Sequence, residues 1–329
     1  MGRFGSGLKA IFMIALAVAF AGLPGGARAA DTLRELHVDY AYYNPVSLVL
    51  KEKGWLEVEF KKDGVPVRWV LSLGSNKALE FLNAGSLDFG SSAGAAALIS
   101  RINGNPIQSV YVYSKPEWTA LVTRKESPIK TVADLRGKRI AVTRGTDPHI
   151  FLVRALQTAG LTEKDVKLVL LQHQDGRFAL DKGDVDAWAG LDPMMAQAEL
   201  ENGDRLFFRN PDFNTYGVLN VREAFAAQHP EAVSRVLAVY ERGRRWALAH
   251  PDELKQIIEK AAHLSDAVAS RQLDRTDLSD PHLGDKPRQA ILAAGRALQQ
   301  AGVIKADVDV AAATAGLIDN GYIAKLAAN

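Results

Sequence analysis

The chain contains no cysteine among its 329 residues. This absence excludes disulfide bonds, thiolate nucleophiles, cysteine-ligated metal and a lipid anchor on an amino-terminal cysteine. Histidine is scarce too, and no two of the seven histidines lie two, three or four residues apart. The sequence therefore offers no local pair of metal ligands. No G-x-S-x-G motif, Walker loop or dinucleotide fingerprint occurs either, so we expect neither a metal nor a cofactor.

Long apolar runs are also rare, and the one that occurs lies at the start. Residues 10–23 follow the basic residues Arg3 and Lys9 and precede a Pro-Gly-Gly break and an Ala-Arg-Ala sequence at 27–29. The run is short for a membrane span, and the Ala-x-Ala pattern is typical of a cleavage site. We therefore interpret residues 1–29 as a cleaved signal peptide, with an uncleaved membrane anchor as the alternative.

Charge of either sign is not in excess. Without residues 1–29, 37 basic residues remain against 38 acidic ones, so the net charge changes from +2 to −1. A chain balanced in this way has no bulk electrostatic attraction to nucleic acid or to an anionic membrane. Its 47% of hydrophobic residues and 24% of charged residues are ordinary for a globular protein. We expect an exported protein without a lipid anchor, located in the periplasm if the source is a double-membraned bacterium.

Short apolar strands alternate with helical segments along residues 36–221, which predicts an α/β fold with mainly parallel sheets. A fresh strand–helix series begins after Trp118, and mostly helices follow residue 222. Residues 82–90 resemble residues 180–188, since each stretch ends a helix at a glycine and then enters a strand after an aspartate. We predict a left-handed helix cap at Gly85 and Gly183, and two similar lobes.

The stretch from residue 137 to residue 160 reads as strand, tight loop and helix. Thr146 or Asp147 suits the cap of this helix, and Pro148 suits its first turn, where no backbone donor is needed. A helix start at the carboxyl end of a strand presents free N–H groups and a positive dipole end, which favour an anion. An ordinary capped turn without a ligand is the alternative.

Ligands of open α/β sheets bind beyond the carboxyl ends of the strands. The loops at these ends are rich in serine, threonine, asparagine and glycine, which are neutral donors suited to an oxyanion. The candidate ligand-binding residues are Tyr42, Tyr43, Asn44, Gly74, Ser75, Ser91, Ser92, Arg144, Gly145, Thr146 and Asp192.

The sequence allows more than one role for several residues in or near these loops. Trp118 lies at the passage between the lobes and is a candidate aromatic contact for the ligand. We interpret His149 as a solvated helix residue, with a ligand contact as the alternative. Asp192 either faces the cleft or caps the helix that follows it. Arg275 is interpreted as the partner of a salt bridge in a polar loop, and Arg244 as part of a solvated helix face.

Several segments resemble the aliphatic sulfonate-binding proteins of ABC importers. They are residues 127–138, the helix at 152–161, Gly183–Trp188 with the Asp192-Pro193 pair, and residues 84–91. The likeness extends over about residues 35–280. It implies a type II periplasmic-binding-protein fold, in which two lobes are joined by a two-crossover hinge and close on a ligand. It further implies lobe 1 at 30–116 and 217–329 and lobe 2 at 117–216.

The resemblance implies a periplasmic solute-binding protein rather than an enzyme. Its ligand would be a small organosulfonate, either an alkanesulfonate or a taurine-like zwitterion, delivered by a monomer to an ABC permease. Binding of nitrate or a pyrimidine precursor, and an enzyme of the pyrimidine-synthesis type on the same fold, remain alternatives, as does a sensor for a signalling receptor. The family often has Lys-Gly-Ser-Ser-Ser-His where this chain has residues 144–149. Asp147 therefore brings a negative charge to the predicted anion site, and it either points away or pairs with a cationic ligand group.

Overall fold

The computed structural model describes residues 32–327, with side chains as far as Lys325. The predicted signal peptide lies outside these residues. From Leu33 onward the described chain forms one compact unit. None of the described helices is both long and apolar enough to cross a bilayer.

The described part of the chain contains eleven strands, fourteen α-helices and four short 3₁₀-helices. The strands are β1 (Leu36–Tyr40), β2 (Val67–Leu71), β3 (Phe89–Ala93), β4 (Ile107–Pro116), β5 (Leu121–Thr123), β6 (Arg139–Val142), β7 (Lys167–Leu170), β8 (Ala187–Ala189), β9 (Arg205–Phe208), β10 (Gly217–Arg222) and β11 (Thr276–Asp277). The helices of the first three-quarters are α1 (Pro45–Lys53), α2 (Trp55–Phe60), α3 (Ser75–Asn83), α4 (Gly94–Ile102), α5 (Asp147–Thr158), α6 (His173–Lys182), α7 (Met194–Glu201), α8 (Glu223–Gln228) and α9 (Pro230–Ala249). The remaining helices are α10 (Pro251–Ala262), α11 (Asp266–Asp274), α12 (Asp285–Gln300), α13 (Val310–Leu317) and α14 (Gly321–Ala327).

The strands form two sheets. The first has the order β11-β4-β10-β3-β1-β2, and the second has the order β7-β6-β8-β5-β9. Strand β1 pairs in parallel with β2 and β3, and β6 pairs in parallel with β7 and β8. The α/β class is confirmed, but the prediction of mainly parallel sheets is wrong, because β10 and β5 run antiparallel to both of their neighbours. Each of these two strands is the first that the chain forms after it crosses from the other sheet, and it runs opposite to the strands beside it.

The chain passes between the sheets twice, through residues 117–120 after β4 and through residues 209–216 after β9. We call these segments the first and second connections. The largest apolar core includes residues from both sides of the connections: Trp118, Ile150, Val153 and Leu191 belong to the same buried cluster as the residues of β1 and β4. Two smaller cores cover the faces of the second sheet. The apolar contact between the two sheets is therefore continuous.

Local sequence signals explain how the helices that flank the loops begin and end. Asn44 caps α1, since its side-chain oxygen accepts a hydrogen bond from the Ser47 N–H at 3.2 Å. Gly85 and Gly183 adopt the predicted left-handed conformation, with φ of 72° and 80°. Each glycine lies between a helix and the strand that follows it, which confirms the interpretation of the repeated pattern.

Candidate functional site

The predicted ligand-binding loops lie at the carboxyl ends of β1, β2, β3, β6 and β8. Two of them meet across the sheets. A Cβ atom built on Gly74, in the loop after β2, lies 2.9 Å from the Nε2 atom of His173 at the start of α6. One built on Gly145, after β6, lies 3.9 Å from the Cβ atom of Asn76. The candidate site therefore lies where these loops meet, with α3 on one side and α5 and α6 on the other.

The floor of this site on the first sheet is a buried polar network around Asp39. The carboxylate accepts hydrogen bonds from the Ser91 N–H at 2.9 Å and from the Ser91 hydroxyl at 2.8 Å. The Asn44 side-chain amide donates to the Ser91 Oγ atom at 2.7 Å. Burial raises the pKa of Asp39 to about 6, against the lowering effect of the Ser91 donors. Because Ser91 already donates both hydrogens to Asp39, it holds the floor together and has none left for an anion.

The aromatic residues next to this network belong to the same floor. The Tyr43 hydroxyl donates to the Ser91 carbonyl at 3.0 Å, and its ring packs edge-on against Trp118 with centroids 5.8 Å apart. Trp118, the candidate aromatic contact for the ligand, is itself buried. Its indole packs against the floor and has almost no contact with solvent.

Two other predicted contacts of the first sheet differ in exposure. Ser92 is buried, where its hydroxyl donates to the Ala93 carbonyl and accepts from the Asn220 side chain. Both hydrogen-bonding functions of this hydroxyl are therefore used inside the protein. Tyr42 is only half-buried, so part of its surface remains accessible to a ligand.

The polar groups at the start of α3 have fewer hydrogen-bond partners than those of Ser91 and Ser92. The Ser75 Oγ atom accepts a hydrogen bond from the Ala93 N–H at 3.0 Å, which leaves its hydroxyl hydrogen for another acceptor. The first N–H groups of a helix have no partner within the helix, and here they begin at Ser75. Gly74 precedes them in extended backbone geometry, so its lack of a side chain serves the close approach of His173 rather than an unusual φ.

The start of α5 presents the second set of donors. Gly145 turns the chain with φ of 79°, a conformation that favours glycine. Of the two predicted cap residues, Thr146 occupies the cap position, but its side chain accepts no hydrogen bond from an N–H group of the described helix. Its hydroxyl instead donates to the Thr143 carbonyl at 2.6 Å. Arg144 is half-exposed, and among the described residues its guanidinium group has one long contact, of 3.5 Å, with Glu163. It provides a cation beside the helix start.

Asp147 points into the connections between the sheets. One carboxylate oxygen accepts from the Trp118 Nε1–H and from the Thr215 N–H, each at 2.8 Å. The other accepts from the Thr215 hydroxyl at 2.7 Å. Burial raises the pKa of Asp147, and these three donors oppose that shift. The side chain thus joins α5 to both connections at once, and its oxygens are engaged there instead of at the predicted anion site.

Asp192 is not placed as a free ligand contact. Its Oδ1 atom accepts from the Ala196 N–H in the first turn of α7 at 2.9 Å, although Pro193 and not Asp192 occupies the cap position. Arg275 lies 3.3 Å from the same oxygen and donates to Glu199 of α7 at 2.5 Å. Burial raises the pKa of Asp192 to about 7, and Arg275 opposes this shift. Arg275 is paired as predicted, but it is buried against α7 and not part of a solvated loop.

Two further interpretations of surface residues are wrong. His149 is buried, and its Nε2 atom lies 2.8 Å from Glu163. Arg244 is also buried, and it binds Glu241 and the carbonyl oxygen of Leu278. In both cases a partner more than ten residues away along the chain covers the side chain, and helical periodicity does not show such partners.

The sequence interpretation missed Asp39 and His173. Asp39 lies near the carboxyl end of β1, which pairs in parallel with β2, and His173 follows β7, which pairs in parallel with β6. This position was the available signal, since it places polar side chains at the ligand edge of a sheet. Searching the histidines only for metal-ligand spacing left His173 unexplained. Among the described residues, no group of three or more acidic, histidine or cysteine side chains could hold a metal ion.

A family model described as NMT1/THI5 like matches residues 46–254 of the chain. A Bacillus subtilis protein described as a putative aliphatic sulfonates-binding protein is 26% identical over 274 residues, which cover 82% of each chain. An Escherichia coli protein with the same description is 31% identical over 210 residues, which cover 63% of this chain and 66% of the relative.

Solved structures share the fold. The alkanesulfonate-binding protein SsuA from Xanthomonas axonopodis pv. citri, bound to MOPS, superposes with a TM-score of 0.80 at 24% identity, covering 89% of this chain and all of the other. The desulfurization enzyme DSZB superposes with a TM-score of 0.64 at 15% identity, covering 89% of this chain and 98% of the enzyme. The same architecture therefore supports both binding proteins and an enzyme.

Proposed function

This chain belongs to the NMT1/THI5-like family, and from that premise we propose that it is the periplasmic solute-binding protein of an ABC importer that captures a small organosulfonate. The proposed ligand sits between lobe 1, at residues 30–116 and 217–329, and lobe 2, at residues 117–216. The proposed route is export through cleavage of residues 1–29, capture of the ligand by a monomer, and delivery to a permease in the inner membrane.

The observation that carries the proposal is the meeting of two helix starts across the lobes. Gly74 and Asn76 at the start of α3 approach His173 and Gly145 on the other lobe. Free N–H groups and positive dipole ends from two helices, with the Arg144 guanidinium beside one of them, favour an anionic head group. Two relatives with 26% and 31% identity are described as aliphatic sulfonates-binding proteins, which supports a sulfonate as that group.

Nine of the eleven predicted site residues divide into two roles in this proposal. Those whose donors have no close acceptor among the described residues contact the anion: the backbone and hydroxyl of Ser75, the guanidinium of Arg144, and the backbone of Gly145 and Thr146. The second group holds the loops in place, because its side chains already pair with protein groups: Tyr43, Asn44, Ser91, Ser92 and Asp192. Ligand binding then draws the lobes together by bending at the two connections.

A binding role without catalysis is favoured by the comparisons with curated sequences, since a taurine-binding periplasmic protein from Escherichia coli is also a relative, at 29% identity. The chain lacks any cysteine for thiol chemistry. The likeness to DSZB concerns the fold alone. We therefore propose transport and not catalysis as the function.

Isothermal titration calorimetry tests this proposal. The purified protein is unfolded and refolded to remove co-purified ligand, and is titrated with methanesulfonate, ethanesulfonate, taurine, nitrate, sulfate and an aminopyrimidine. We expect a Kd of about 10 μM or tighter for at least one sulfonate, without turnover of that compound. An Arg144→Gln variant should bind it about 10-fold more weakly, whereas Arg136→Gln, which removes an exposed ion pair with Asp165, should bind normally. Binding of nitrate or the pyrimidine alone would contradict the proposal.

A further inference from the structure

Arg144 and His149 both contact the same carboxylate oxygen. The Oε1 atom of Glu163 lies 2.8 Å from the Nε2 atom of His149 and 3.5 Å from the Nη2 atom of Arg144. Glu163 begins a short 3₁₀-helix, Glu163–Asp165, that follows α5. An anion bound at the start of α5 would therefore compete with this carboxylate for one guanidinium group.

The two contacts of Glu163 differ in strength. A carboxylate can only accept, so the hydrogen of the 2.8 Å contact is carried by Nε2 of His149. The 3.5 Å contact with Arg144 is longer than an ordinary N–H···O hydrogen bond of roughly 2.7–3.2 Å. The hydrogen bond from His149 lowers the pKa of Glu163, against the raising effect of burial. The carboxylate is therefore charged at neutral pH and is held mainly by His149.

The three side chains also differ in exposure. The side chain of His149 is 2% exposed, that of Glu163 26% and that of Arg144 52%. The Nδ1 atom of His149 has no partner among the described residues, where the ring is hydrogen-bonded to Glu163 alone. Thr162 and Asp165 form a capping box that fixes the backbone on both sides of Glu163. A buried imidazole thus holds the carboxylate, while Arg144 remains on the solvent side.

We propose that His149 is a positioning residue: it holds Glu163 through the Nε2 hydrogen bond and so keeps the Arg144 guanidinium group available to the anionic group of the ligand. This inference rests on the proposed function and adds a role for His149 to it. Without the imidazole, Glu163 keeps its charge, and the one other side chain that contacts it among the described residues is Arg144. The two then pair, and a ligand must break that pair before it binds.

Calorimetric titration with ethanesulfonate and with taurine tests the inference. We expect His149→Phe to bind the tighter of these two ligands about 5-fold more weakly than the wild type, which is the size of an exposed ion pair. His149→Gln, whose amide can donate to Glu163 at a similar reach, should stay within about 2-fold of the wild type. Glu163→Gln should bind about 3-fold more tightly, because it removes the competing carboxylate.

Double variants separate this positioning role from a general effect of His149 on the fold. In an Arg144→Gln background, and likewise in a Glu163→Gln background, His149→Phe should change the affinity by less than about 2-fold, since the competition no longer exists. His282→Phe is the matched control. It removes a histidine–carboxylate contact of the same 2.8 Å length, with Asp280 in the loop before α12, and it should bind as the wild type does.

Three results would overturn the inference and leave the proposed function standing. The first is undiminished binding by His149→Phe, and the second is a loss that persists in either double-variant background. The third decides the matter even if His149→Phe does not fold: Glu163→Gln binds no more tightly than the wild type. Failure of the wild-type protein to bind either sulfonate would overturn the proposed function and the inference together.

Discussion

At the scale of single residues, the polar side chains of the site divide between those that support the structure and those left with unused donors or acceptors. Asp39, Asn44 and Ser91 satisfy one another in a buried network. His173 and Asn76 each keep a buried polar atom without a protein partner among the described residues. Residue type alone does not separate these groups, since asparagine occurs in both. The hydrogen-bond geometry does, because a donor used inside the protein is not available to a ligand.

The buried carboxylate of Asp39 gives the first prediction at this scale. Its pKa is raised from 3.8 to about 6 by burial, so the folded protein holds this proton at a pH where the unfolded chain has released it. The contribution of Asp39 to the free energy of unfolding should therefore fall as pH rises from about 4 to about 6 and stay constant above that. We expect the free energy of unfolding of the wild type minus that of Asp39→Asn to decrease by about 2–3 kcal/mol between pH 4 and pH 7.5.

Urea denaturation of both proteins at a series of pH values measures this difference. The asparagine introduced by Asp39→Asn keeps an oxygen for the Ser91 N–H but cannot titrate. Comparing the two proteins therefore removes the contribution of every other group that both share. A difference that rises over this pH interval, or does not change, would contradict the raised pKa.

At the scale of helices and strands, Asp147 makes α5 the element that holds both connections. Its carboxylate accepts from Trp118 in the first connection and from Thr215 in the second. We expect Asp147→Ala to lower the free energy of unfolding by about 2–4 kcal/mol, because it leaves the indole and backbone N–H groups buried without acceptors. Asp147→Asn should cost less, since its amide oxygen still accepts. Denaturation curves measure both, with the exposed Asp212→Ala as the control.

Most elements follow from sequence patterns, and the exceptions have physical reasons. The prediction that mostly helices follow residue 222 is confirmed, since α8 to α14 lie there with only the short strand β11 among the described elements. For helix α6 the sequence indicates only the end, because Gly176 in its middle lowers helix propensity. A Cβ at that position would lie 2.8 Å from the Trp188 Nε1 atom. The glycine is thus needed for packing against a strand that lies further along the chain, which local sequence does not show.

The sequence was sufficient to predict which loops form the candidate site, but not which of their polar atoms remain available to a ligand. Arg144 and Ser75 lie where the rule on strand ends places them. The engagement of Asp192 by Arg275 depends on a contact across 83 residues, and the burial of Trp118 depends on the packing of both connections. Such long-range partners form hydrogen bonds with polar groups that the sequence pattern alone presents as available to a ligand.

At the scale of the whole molecule, we expect Gly74 to limit how far the two lobes of this fold can close. In this structure they touch where a Cβ on Gly74 would lie 2.9 Å from His173. We expect Gly74→Ala to keep the fold, since its backbone is extended, but to hold the lobes apart and weaken ligand binding about 10-fold or more. Small-angle X-ray scattering with saturating ligand should show a larger radius of gyration than for the wild type.

Gly284→Ala is the matched control, because a Cβ there meets nothing within 4 Å, and it should scatter and bind as the wild type does. If Gly74→Ala closes and binds normally, the two loops do not limit closure.

The attachment of Asp147 to both connections also has a mechanical consequence. In a rigid-body rotation, displacement grows with distance from the axis, and the hydrogen bonds of Asp147 keep the start of α5 beside that axis. Arg144, three residues earlier in the chain, therefore has a short lever arm. Gly74 and His173 lie on loops that make none of these hydrogen bonds, so we expect their contact to separate further than Arg144 moves when the lobes open. Solute should then enter past these two residues and reach a cation that moves little.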